Sequence, residues 1–125
     1  MLDLSAVALD DGLMVDVLWS VCLGAMAGMS LRAWRRVDRE AWVPLQWGRD
    51  GRPVMRAQRG LALAFTPMAA TIGGLLLAAC ERVAGASDPA WTVVRLIAPL
   101  LLLAAHRSHL GHAVATLKVE GGLRR

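Results

Sequence analysis

The run from Gly60 to Cys80, GLALAFTPMAATIGGLLLAAC, carries no charged side chain. As a helix rising about 1.5 Å per residue it reaches across a hydrocarbon core roughly 30 Å thick. In water such a helix would have to be covered on every side, whereas in lipid it needs only its own backbone hydrogen bonds. An apolar stretch precedes it, Leu13 to Leu31, and another follows, Trp91 to Leu117, each broken by a few polar residues. A hydrophobic fraction of 56% and a mean hydropathy of +0.46 over 125 residues leave too little charged surface for a water-soluble domain of this size. The expected fold is all-α: a single membrane domain over residues 1–125, an integral membrane bundle of three transmembrane helices with spans at about 13–33, 60–81 and 91–113. Leu2 to Leu9 adds a short N-terminal surface helix of amphipathic character, ended by the Asp10-Asp11-Gly12 turn signal.

The positive charge is almost all arginine, Lys118 being the sole lysine, for a net charge of +4 and a pI near 10.4. It is concentrated beside the spans, where bilayer orientation uses it, which argues for lipid headgroups and against nucleic acid. Between the first two spans lie Arg32, Arg35, Arg36, Arg39, Arg49, Arg52, Arg56 and Arg59, against Asp38, Glu40 and Asp50. The N-terminal tail has no basic residue, and the second connector, Glu81 to Ala90, has only Arg82. The positive-inside rule therefore places the N-terminus outside, with the connector 34–59 and the C-terminus cytoplasmic in a multi-pass protein of a bacterial inner membrane. Asp3, Asp10 and Asp11, with no basic n-region, do not fit a cleaved signal peptide.

Polar and small residues inside the spans are few enough to treat singly. Ser20, Gly24 and Gly28 recur every four residues, a face stripped of bulk against which another helix can pack closely. Asp16 and Arg95 fall at similar depth, about one turn inside the outer face; either an intramembrane ion pair, direct or bridged by water, lowers the cost of each charge, or each snorkels separately to the outer interface. Cys22 and Cys80 sit at different depths and read as small packing residues rather than a disulfide. Pro67 and the Gly73-Gly74 pair mark the second span as one that bends.

His106, His109 and His112 share a broad face, because a step of three turns a helix by about 300°. Neither a cysteine nor a carboxylate on the same helix completes a metal ligand set with them. Beside small residues such as Ala105, His106 or His109 is a candidate axial ligand for haem or a bacteriochlorophyll-type pigment; the alternative is hydrogen bonding to headgroups, water or the connector. No serine, histidine and carboxylate fall into a relay, and no nucleotide fingerprint follows a strand, so no catalytic residues are assigned and the chain is expected not to be an enzyme.

In the connector, Trp34, Trp42 and Trp47 suit the headgroup level, and Arg49, Asp50 and Arg52 cluster at a tight turn, a small hairpin lying on the membrane surface. These six are candidate contacts for a partner or lipid. The string Val43-Pro44-Leu45-Gln46-Trp47-Gly48-Arg49-Asp50-Gly51-Arg52-Pro53, followed by a proline-containing span, resembles the small membrane domain at the N-terminus of SdpI-type immunity proteins. The likeness covers roughly Leu31 to Leu75. It implies a helical membrane protein whose loop meets a partner and, in the named members, protection of the producing cell from a toxin.

Small-residue faces, a bent span and buried charge together suit a chain that packs against others. The leading expectation is a non-catalytic accessory or scaffolding subunit bound to other integral membrane proteins and to lipid. An SdpI-like immunity or signalling protein is the second, and a haem- or chlorophyll-binding subunit of a photosynthetic or respiratory complex the third.

Overall fold

In a computed structural model the described residues are 11–84 and 89–125. They form α1 (Asp11–Arg36), β1 (Trp42–Trp47), β2 (Pro53–Gln58), α2 (Arg59–Ala84) and α3 (Pro89–Glu120). All three helices are long and apolar enough to cross a membrane, so the helical bundle expected from hydropathy is present. The surface helix expected at Leu2–Leu9 lies outside the described residues. Beside the three helices one antiparallel hairpin, β1 with β2, forms at the arginine-rich end, in the connector where a tight turn or small hairpin is expected.

The polarity of the bundle is that of a protein dissolved in lipid. Leu61, Phe65, Ile72, Leu75 and Leu76 on α2 are all exposed, Leu75 by 68%, whereas arginine and histidine side chains, Arg95 and His106, are buried among the helices.

On α1 the buried positions are Val15, Trp19, Cys22, Met26, Ser30 and Ala33, continued just past the helix by Val37. This 4-3-4 spacing, run twice, repeats every eleven residues, so the stripe stays in line to within about 20° per repeat. Ser20, Gly24 and Gly28 are exposed instead, and a Cβ on Gly24 or Gly28 would meet nothing within 4 Å. Among the described residues, then, no helix packs against the two glycines. The close approach is made by Gly74 of α2, where a Cβ would stand 2.9 Å from the Trp19 ring. At that point the large side chain, Trp19, comes from α1, and the partner helix supplies the missing one.

Each helix runs past its expected span, and the extensions of α1 and α3 have local causes. α1 continues to Arg36, with Arg35 and Arg36 opposing the negative end of its dipole. Arg59 donates to the carbonyls of Trp34 (3.3 Å) and Val37 (3.1 Å), and its guanidinium lies 3.6 Å from the Trp34 ring centroid. α2 reaches Ala84, three residues past the expected end of its span at Glu81. α3 opens on Pro89, at the first helical position, where a missing N–H costs nothing. It continues to Glu120 because Ala113 and Leu117 are buried in a core formed with Val37, Val43, Ala57 and Ala62. Gly121, at φ 77°, then ends it, and the Gly122 N–H closes back on the Leu117 carbonyl at 2.9 Å.

That core lies where hairpin, helix ends and tail meet. β1 and β2 pair from Trp42↔Gln58 to Trp47↔Pro53, with irregular register around Leu45. The turn is held by Gly48 N–H to Arg52 O (2.8 Å) and by Arg52 N–H to Asp50 Oδ1 (3.1 Å), with Gly51 at φ 76°. The tail returns alongside the end of α1: Asp38 N–H reaches Gly122 O at 2.9 Å, and Arg124 N–H reaches Arg36 O at 2.8 Å. Arg56 makes two hydrogen bonds to Glu120, 2.9 and 2.6 Å long. Hydrogen bonding to Glu120 is the main cause that holds the Arg56 guanidinium above its ordinary pKa.

Candidate functional site

A proline inside a helix deprives the carbonyl four residues earlier of its donor. Pro67 does this to Leu63 in α2, and Pro99 does it to Arg95 in α3. Away from water an orphan carbonyl is costly, and each is capped by a side chain from α1. The Ser30 hydroxyl donates to Leu63 O at 2.7 Å, and the Trp19 indole N–H donates to Arg95 O at 2.9 Å.

Ser30 joins all three helices. With its one hydrogen on Leu63 O, the hydroxyl oxygen accepts from His106 Nε2–H at 2.9 Å. Arg95 is the second such junction. Its guanidinium pairs with Asp16 of α1 and with Glu81 of α2, and its own side chain is 7% exposed. The expected Asp16 to Arg95 pair is thus present in the structure, with a third member that the sequence reading assigned to a connector. The partners 19 and 95, and 30 and 106, are offset by the same 76 positions. α1 and α3 therefore run parallel in fixed register, with the two junctions about 17 Å apart.

The three histidines do not act as one set. His106 is 1% exposed, its Nε2 is taken by Ser30, and the packed ring leaves no approach for a macrocycle at that nitrogen. His109 and His112 instead meet Trp47 edge to face, at ring-centroid distances of 5.5 and 4.5 Å. Trp47 accordingly faces α3, while Trp42 is 56% and Trp34 38% exposed. Arg49, Asp50 and Arg52 are exposed at the hairpin tip, although Asp50 is partly used in its own turn. Among the described residues no three His, Cys, Asp or Glu side chains converge as a metal site requires, and Cys22 and Cys80 are free thiols.

Sequence reasoning missed Ser30, Trp19 as a donor, and Glu81. The prolines were the available signal, since each names the carbonyl that must be capped, though not the group that caps it. Compared with family models, with curated proteins and with solved structures, the chain matches none.

Proposed function

We propose that the chain is a small multi-pass protein of a bacterial inner membrane, an accessory or scaffolding subunit that holds to other integral membrane proteins and to lipid and performs no chemistry itself. The observation that carries this reading is the open face of α1. Ser20, Gly24 and Gly28 are exposed, with empty space around both glycines, on a helix whose other stripe is filled by its own bundle. A helix from another protein can approach that face to backbone contact. The polar groups at the two junctions support the same reading, since Ser30, His106, Arg95 and Trp19 are all engaged in joining helices.

Purification in a gentle detergent is the test. The wild-type chain brings down an integral membrane partner in fixed stoichiometry, and the Gly24→Leu/Gly28→Leu variant loses it while keeping the wild-type melting profile, because both leucines enter open space. A chain that purifies alone, or a variant that retains its partner, ends the proposal. The exposed Arg49, Asp50 and Arg52 at the hairpin tip favour one second reading, in which that tip meets a toxin or regulator as an immunity protein would. Protection of a sensitive host that is lost in an Arg49→Ala/Arg52→Ala variant distinguishes it.

A further inference from the structure

We propose that the trough between α1 and α3 at the arginine-rich end binds an anionic glycerophospholipid, its phosphate between Arg32 and Arg107 and one acyl chain along the apolar wall beyond. The inference rests on α1 and α3 being membrane spans, as in the reading above, and supplies a lipid class and a place for it.

Two concavities, about 970 and 380 Å³ in volume, share Met29, Arg32, Arg107, Gly111 and Ala115. Small residues make the room: a Cβ on Gly111 would meet nothing within 4 Å. From the arginines toward the middle of the spans the walls are Ala25, Leu100, Leu103 and Ala104, an apolar run about 10 Å long on α1. In the opposite direction Arg36 adds a third guanidinium. The trough is thus apolar toward one end and cationic toward the other, the polarity of a phospholipid.

The two central charges stand level. With α1 and α3 locked at an offset of 76, position 32 faces 108, one residue and about 1.5 Å from Arg107. No carboxylate lines either concavity, and Arg32 and Arg107 belong to none of the ion pairs among the described residues. Like charges held at one depth repel, and an anion between them offsets that repulsion. A guanidinium fork matches phosphate oxygens in geometry as well as in charge.

The experiment uses the full chain in detergent, offered equal amounts of phosphatidylglycerol and phosphatidylcholine with the same acyl chains, with retained lipid counted by native mass spectrometry. The expected preference for phosphatidylglycerol is roughly 5-fold if one arginine acts and 30-fold if both do. Arg32→Gln/Arg107→Gln abolishes it by removing charge, and Gly111→Leu abolishes it by filling the trough. Gly73→Leu, also in open space but on α2, and Arg82→Gln, exposed at the opposite end of that helix, keep it. Equal retention of the two lipids, or a Gly111→Leu chain that behaves as wild type, overturns the proposal. So does complete displacement by inorganic phosphate, which assigns the site to a free anion. Failure of the chain to enter vesicles of either lipid defeats the membrane reading itself, a result separable from all of these.

Discussion

Ser30 carries more of the interior than a serine in a hydrophobic helix ordinarily does. It caps the carbonyl that Pro67 orphans and accepts from His106, so Ser30→Ala strands one acceptor and one donor in a dry place. The expected cost is about 1–2 kcal/mol, given that interhelical hydrogen bonds in membranes are individually modest. The cause can be isolated, because Pro67→Ala restores the backbone N–H that Leu63 lacks. In that background Ser30→Ala costs less, by about 0.5–1 kcal/mol, the share owed to the carbonyl. Equilibrium unfolding of the four chains of this cycle in mixed micelles measures the difference, and strict additivity would refute the capping role. Both orphan carbonyls were legible in advance, since a proline inside a span names them. Their caps were not: Ser30 and Trp19 are far away in sequence, and only the parallel register of α1 and α3 sets Trp19 beside Arg95. The Asp16 to Arg95 pair was readable because depth alone constrains it, and Glu81 was missed because a carboxylate after an apolar run looks like the start of a loop.

The elements differ in what holds them. The helices answer to the cost of bare backbone in lipid, and hydropathy finds them; their ends answer to caps and packing, and hydropathy stops short. The close spacing of Gly48, Asp50-Gly51 and Pro53 pointed to a small hairpin, but not to its docking through Val43 and Ala57 on α2 and α3, which is what lengthens α3 to Glu120. The open Ser20, Gly24 and Gly28 face shows the converse limit. Period-four small residues say that a helix can be approached, not that its own chain does the approaching. The hairpin's polar tie is Arg56 to Glu120, with side chains 32% and 39% exposed, so its worth is that of a partly screened, two-pronged surface pair, at most about 1 kcal/mol. Glu120→Gln is therefore expected to leave the bundle folded and to speed amide exchange in β1 and β2 several-fold, with no change at the centre of α2. High salt mimics the substitution in the wild type, since screening weakens the same attraction. Unchanged exchange in the two strands would show that the apolar core alone holds the hairpin down.

For the molecule as a whole, the asymmetry that matters is between its two ends. One end gathers Arg32, Arg36, Arg49, Arg52 and Arg107 around the hairpin and tail, while the described part of the other end offers Arg82 and the partnered Arg95. Moving the arginine-rich end across a bilayer means desolvating many guanidinium groups, so the cytoplasmic placement proposed for it is the one that anionic headgroups favour. Arg52 is exposed at the hairpin tip and Ala84 is exposed at the far end of α2, so these two positions report opposite ends of one helix. In a Cys22→Ala/Cys80→Ala background, Arg52→Cys is expected to resist a membrane-impermeant maleimide in intact spheroplasts and to react once they are lysed. Ala84→Cys reacts in both. The reverse pattern would turn the protein over in the membrane while leaving the helix packing and both polar junctions as described. Labelling of both positions from a single side would be more damaging, because α2 then does not cross, and the parallel register of α1 and α3 would lose the antiparallel helix that returns the chain between them.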